Sequence, residues 1–129
     1  MAEKQWRNLT AEEKQLLKRL LAVEPELAQR ITKRLDHIEA KRVDDHGCLG
    51  CLEFRDPNRG EYIDPSPYYQ AIIDAEYLDS DGIRVEVTLF IRANTIKFLE
   101  FNKPVDPIFT WPDPEKLIVL TPGPNKSKK

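Results

Sequence analysis

The chain has 129 residues, which by the usual size of a domain is one compact unit with little room for a second core. With 40% apolar and 33% charged residues and a mean hydropathy of −0.55, it has enough apolar side chains for a real core. No apolar run approaches the roughly 18 residues needed to cross a bilayer. The polar opening around Glu3, Lys4, Gln5, Arg7 and Asn8 has no apolar stretch of the secretory kind, and two cysteines are too few for a disulfide framework. The expectation is a cytoplasmic protein.

In chain order, Thr10-Ala11-Glu12-Glu13 is a capping box, so a first helix is predicted from Ala11. Leu16, Leu17, Leu20 and Leu21 recur on one face, and the helix ends before Pro25. Pro25 suits the first turn of a second helix with Leu27, Ala28, Ile31 and Leu35 on one stripe, while Arg30, Lys33 and Arg34 form a solvated basic face. From Ile38 the period changes. The turn residues Asp45-His46-Gly47 lead into the strand pattern Leu49 to Phe54, which reads as a hairpin.

Residues 56–68, with Pro57, Gly60, Pro65 and Pro67, read as a long irregular connection carrying Tyr62 and Tyr68, with Tyr69 just after it. The stretch Ser66 to Leu78 fits a helix capped by Ser66, or a strand over Gln70 to Leu78. The strand is preferred, because Asp79-Ser80-Asp81-Gly82 is a good hairpin loop and Ile83 to Ile91 is the best strand pattern in the chain. Val85, Val87, Leu89 and Ile91 form its buried face. Arg92-Ala93-Asn94 turns the chain into a further strand, Thr95 to Phe101, which Pro104 and Pro107 stop. Ile108, Phe109 and Trp111 are expected to pack at the domain edge, and Leu117 to Leu120 to form a last short strand. The predicted fold is α+β, two N-terminal helices packed on an antiparallel meander sheet of four to six strands. The domain is expected over 1–120, with 121–129 a polar, disordered tail.

The formal net charge of −2 speaks against a nucleic-acid partner, which favours a strongly basic chain. The charge is unevenly placed. Residues 1–43 and 84–129 each carry +3, whereas residues 44–83 hold ten Asp/Glu against Arg55 and Arg59, a balance of −8. An acidic segment attracts cationic partners if its loops share one side, although Asp near Gly, Pro or Ser is also simply a turn former.

Cys48 and Cys51 form a CxxC pair, half of a tetrahedral zinc site or a redox dithiol. The only histidines, His37 and His46, do not complete finger or ribbon spacing, so two small residues packing near a turn is the preferred reading and no metal is expected. Asp79-Ser80-Asp81-Gly82 opens like a calcium loop but lacks the later acidic ligands, and the five scattered glycines form no phosphate loop. No nucleophile with an evident base is present, so neither an enzyme nor a cofactor is expected.

The runs Arg7 to Glu13, Asp45 to Gly50, Ala75 to Val85, and Leu99-Glu100-Phe101 leading to Val105-Asp106-Pro107 occur in an order that resembles a family of small uncharacterised bacterial proteins over most of residues 7–113. Where those relatives tend to have a more Gly-rich turn, this chain has Cys48 and Cys51, and where they have Trp-Lys it has Asn102-Lys103. Single-domain bacterial proteins of this size and architecture are similar to immunity proteins, which neutralise a cognate toxin by binding it. That resemblance implies a non-enzymatic protein that neutralises a toxin by binding it, and the acidic segment with its loop tyrosines points to a cationic toxin domain as the partner of a monomer or homodimer. The expected partner-binding residues are Asp44, Asp45, Glu61, Tyr62, Asp64, Tyr68, Tyr69, Asp79 and Asp81. The alternatives are a structural or adaptor domain self-associating through a sheet edge, and a small metal-dependent enzyme using Cys48 and Cys51.

Overall fold

A computed structural model describes residues 5–43, 51–57, 69–104 and 109–120. After a two-residue strand β1 (Arg7–Asn8), Thr10 is extended and its side chain accepts from the Glu13 amide at 3.1 Å, while the Glu13 carboxylate accepts from the Thr10 amide at 2.9 Å. This reciprocal cap opens α1 (Ala11–Leu21) and contributes about 1 kcal/mol. Arg7 adds two guanidinium bonds to the same carboxylate, at 2.9 and 2.8 Å, tying β1 to the helix start. Burial works against ionisation of Glu13, but Arg7 and the Thr10 amide outweigh it and hold the carboxyl below its ordinary range.

Pro25 occupies the first turn of α2 (Pro25–Thr32), which buries Leu27 and Ile31. The helix is shorter than the apolar stripe suggests: Leu35, also buried, belongs to a separate 3₁₀ turn, Leu35–His37. Arg34 is not merely solvated. Its Nε donates to the buried Asp56 carboxylate at 2.7 Å, fastening the end of the helical segment to the residue after the third strand.

The remaining strands are β2 (Glu39–Val43), β3 (Cys51–Arg55), β4 (Ala71–Leu78), β5 (Arg84–Arg92), β6 (Thr95–Asn102) and β7 (Ile118–Val119). Among the described residues they form one antiparallel sheet in the order β1-β2-β3-β6-β5-β4-β7. The α+β class and the meander β4-β5-β6 are as the sequence implies. The sheet is wider than four to six strands because a two-residue strand extends each edge. It also departs from a simple meander, since β3 pairs with β6 and the chain crosses over two strands before β4 begins.

Alternation along the strands decides which face the helices cover. Ala71, Ile73, Ala75 and Tyr77 of β4, Val85, Val87, Leu89 and Ile91 of β5, and Leu99 and Phe101 of β6 are buried in one cluster with Leu16, Leu17, Leu20, Leu21 and Ile31 of the helices. The opposite face carries Ile72, Asp74 and Glu76 of β4, Arg84, Glu86, Thr88 and Phe90 of β5, and Phe98, Glu100 and Asn102 of β6, all half-buried or exposed. Ala93 and Asn94, both at positive φ, make the tight turn between β5 and β6. Gln70 braces that turn, accepting from the Asn94 amide at 2.8 Å and donating to its side-chain oxygen at 2.9 Å. No helix among the described residues is long and apolar enough to cross a membrane.

Candidate functional site

The β4–β5 turn places Asp79 and Asp81 together at one end of the sheet. Gly82, at φ 83°, allows the turn to close, and the Asp79 side chain accepts from the Ser80 amide at 2.7 Å. Because β6 runs back beside β5, its end brings Lys103 to the same place. Lys103 Nζ donates to Asp79 at 2.9 Å and to Asp81 at 2.7 Å, and only 3% of the lysine and Asp79 side chains is exposed, against 44% for Asp81. The Thr110 amide approaches both Asp79 oxygens at 3.3 Å. Burial opposes ionisation of Asp79, yet Lys103 and the Ser80 and Thr110 amides prevail and keep its carboxyl low.

Tyr77 donates its hydroxyl to the Thr110 carbonyl at 2.6 Å, and burial, with the Asp79 charge behind it, pushes the phenol far up. Phe101 stacks on Phe109 at 4.5 Å and meets Trp111 at 5.3 Å, so the 109–111 segment packs on the sheet end as expected of Phe109 and Trp111. Ile108 lies outside the described residues. A cleft of about 110 Å³ opens beside this network, bordered by Asp79, Thr110, Trp111, Asp113 and Lys116. The cluster is a closed structural lock: its lysine and its buried carboxylate already hold each other.

Tyr69 sits elsewhere. It precedes β4 while Asp79 follows it, and eight extended residues between them span roughly 27 Å. Tyr69 lies 5.0 Å from Phe90, which is 6.3 Å from Phe98, and Arg92 lies over the Tyr69 ring at 6.0 Å. Asp44, Asp45, Glu61, Tyr62, Asp64 and Tyr68 lie outside the described residues. Of the three described candidates, then, two are drawn together and already bonded within the chain, and the third is at the far end of the sheet.

Between these ends lies an acidic surface that loop-centred reasoning passed over. On the face away from the helices, the cross-strand rows read Asp74, Thr88, Glu100 and then Glu76, Glu86, Asn102. Among the described residues these rows hold four carboxylates, and Arg84 at their edge reaches Glu76 at 3.3 Å and Glu86 at 3.5 Å. Thr88 donates to Asp74 at 3.0 Å, and Glu100 is exposed at the β6 side of the rows. At the β7 side the surface is apolar: Leu78 is 71% exposed, Ile118 56% and Leu120 51%. The alternation of Asp74 and Glu76 with Ile73, Ala75 and Tyr77 was the available signal, and it needed the pairing of β4, β5 and β6 to become a patch.

The domain-of-unknown-function family DUF6984 has a model that matches residues 6–106. The chain belongs to that family. The matched range runs from β1 through β6, so the acidic rows and Lys103 lie within the DUF6984 domain, whereas β7 lies beyond it. A search of curated proteins and a search of solved structures each returned no match. Within the DUF6984 domain Cys51 is fully buried and disulfide-bonded, with the Phe101 amide donating to its sulfur at 3.3 Å. Cys48 and His46 lie outside the described residues, and among the described residues no group of three His, Cys, Asp or Glu is placed to hold a metal ion.

Proposed function

We propose that this protein is a non-enzymatic binding protein of immunity type that docks a cationic protein, a toxin domain in the simplest case, on the open face of its sheet. The observation that carries this reading is the pair of acidic rows Asp74, Glu76, Glu86 and Glu100, with Arg84 paired to Glu76 and Glu86 at their edge. A rigid three-stranded platform holds these charges in fixed register, and such a field speeds association and selects against acidic partners. Tyr69, Phe90 and Phe98 border the rows and supply aromatic contact area of the kind that anchors interfaces. Relative to the loop surface expected from the sequence, the docking area moves onto the sheet, because Asp79 is buried on Lys103.

Immobilised protein is expected to retain a basic protein from lysate of its source cells, released as salt rises from about 0.1 to 0.5 M, where screening shortens to a few Å. The variant Glu86→Lys/Glu100→Lys should lose it. Retention that ignores both salt and the variant contradicts the proposal.

A second reading, self-association through the β7 edge, is favoured by the exposure of Leu78, Ile118 and Leu120 at 71%, 56% and 51% beside a two-residue edge strand. It predicts a dimer in sedimentation that Ile118→Lys converts to monomer; a monomer at all concentrations dismisses it.

A further inference from the structure

An apolar strip runs beside the acidic rows. Ile118 pairs with Glu76 and so lies on the open face; Leu120, two residues on, and Leu78, two residues past Glu76 on β4, share that side. All three side chains are more than half exposed. The Leu120 amide donates to the Asp74 carbonyl at 2.8 Å, so Leu120 is level with residue 74, Ile118 with residue 76, and Leu78 one step further along. The anchors are thus two strand residues apart, roughly 7 Å, close to the roughly 6 Å between positions i and i+4 of an α-helix. From Leu120 to Leu78 the strip measures roughly 13 Å, the length of about nine helical residues. Across the strands, β5 lies two spacings from β7, roughly 10 Å, which is about one helix diameter. A helix laid along the strip therefore has its flank over Glu86, with Glu100 one strand beyond.

We infer that the element of the partner that docks here is a basic amphipathic helix, with apolar side chains at i, i+4 and i+8 set on Leu120, Ile118 and Leu78 and with lysines or arginines along the flank over Glu86 and Glu100. The inference rests on the cationic-partner reading above and names the part of the partner that is recognised. Charge complementarity selects this occupant. Within the rows and the strip, among the described residues, four carboxylates, including the exposed Glu86 and Glu100, outnumber the cations Arg84 and Lys116, and Arg84 is already bonded to Glu76 and Glu86. A second copy placed on the same strip about a twofold axis would bring its own acidic rows against these, like charge against like. A partner strand is disfavoured too, because β7 offers only two residues of edge to template it. A helix satisfies its own backbone and needs only the apolar strip and the charged border.

The probe is a Leu/Lys peptide of about 14 residues, four helical turns, with its leucines at helical spacing. It is compared with a shuffled peptide of the same composition and with a Leu/Glu peptide of the same period. Anisotropy titrations with the full chain are expected to show the periodic Leu/Lys peptide binding at least about tenfold more tightly than the shuffled one, and the Leu/Glu peptide not binding. The variant Leu78→Thr/Ile118→Thr, at exposed positions where threonine suits a strand, should reduce that preference to within about twofold and leave weak, salt-sensitive binding of both basic peptides. The periodic peptide should also shift the amide resonances of Glu76, Leu78 and Ile118 while leaving those of α2 in place. Equal binding of the two basic peptides, a preference that survives the threonine variant, or amide resonances that do not move each overturn the inference. So does a dimer in sedimentation that the peptide fails to dissociate, which assigns the strip to a second copy. None of these removes the acidic rows as a docking surface. Binding of both basic peptides that is unchanged in Glu86→Lys/Glu100→Lys overturns the function proposed above instead, and the inference with it, so the two failures are distinguishable.

Discussion

Leu89→Ala is expected to lower the unfolding free energy by about 3–4 kcal/mol. Leu89 is fully buried on β5, flanked in register by Ile73 and Leu99, with strands on both sides that limit relaxation into the space left behind. Deleting a buried leucine removes its transfer energy and adds the cost of a cavity that a sheet interior fills poorly. For a domain of this size the midpoint of thermal unfolding should drop by roughly 10 °C. Glu86→Ala on the open face of the same strand serves as the control, with a change of about 0.5 kcal/mol or less. A loss below about 1 kcal/mol for Leu89→Ala in urea titration, with the dependence on denaturant unchanged, would show that the helices do not cover this face.

The second large effect belongs to the buried pair at the β4–β5 turn. Asp79→Asn keeps the side-chain shape but removes a buried charge that accepts hydrogen bonds, with an expected loss of about 2 kcal/mol at neutral pH. Lys103 then loses its buried carboxylate partner, and Asp81, which is partly in water, does not replace it. The pH dependence follows from the direction in which the Asp79 carboxyl is displaced. Its folded-state value lies below 3.8, so in acid the unfolded chain takes up the proton first, and the stabilisation present above about pH 4 is lost as the pH falls through the folded value. The difference between wild type and Asp79→Asn should therefore shrink between pH 5 and pH 2. Urea midpoints at several pH values measure this directly, and a difference that stays constant would show that Asp79 is not held ionised by its neighbours.

Much of this architecture was legible from local chemistry. The reciprocal cap of Thr10 and Glu13, the Asp79 to Gly82 loop, and the alternation of Val85, Val87, Leu89 and Ile91 are each determined by residues a few positions apart, and each appears where expected. The strand reading of residues 71–78 also stands, because pairing with β5 along its whole length outweighs the helical stripe of Tyr69, Ile72 and Ile73. The crossover from β3 to β4 was not legible. Leu52 and Glu53 pair with Leu99 and Phe98, more than 40 residues away, and no local pattern distinguishes that neighbour from β4. The tiny strand β1 escaped for a different reason: Arg7 and Asn8 have no strand pattern and are ordered by β2 and by the Arg7–Glu13 pair.

The site was less legible than the fold. Lys103, between Asn102 and Pro104, looks like an ordinary surface lysine, and its burial arises from Asp79, Asp81 and the 109–111 segment converging on it. A signal existed, since a β4-β5-β6 meander puts the end of β6 beside the β4–β5 turn. Following that register shows that the most acidic-looking turn is neutralised by the chain itself. The acidic rows on the sheet face, by contrast, mix residues from the acidic segment, Asp74 and Glu76, with Glu86 and Glu100 from a segment of net positive charge. Segment charge along the sequence could not reveal a patch assembled across three strands.

The measurement that bears most directly on the proposed function is the association rate of the captured basic protein with three forms of this chain at low salt. These are the wild type, Glu86→Lys/Glu100→Lys on the open sheet face, and Glu12→Lys/Glu26→Lys on the exposed side of the helices. Both variants change the net charge equally. The account predicts that the sheet variant associates at least about tenfold more slowly, that the helix variant stays within about twofold of wild type, and that the gap closes as salt rises. Equal slowing by both variants, or none by the sheet variant, would contradict it.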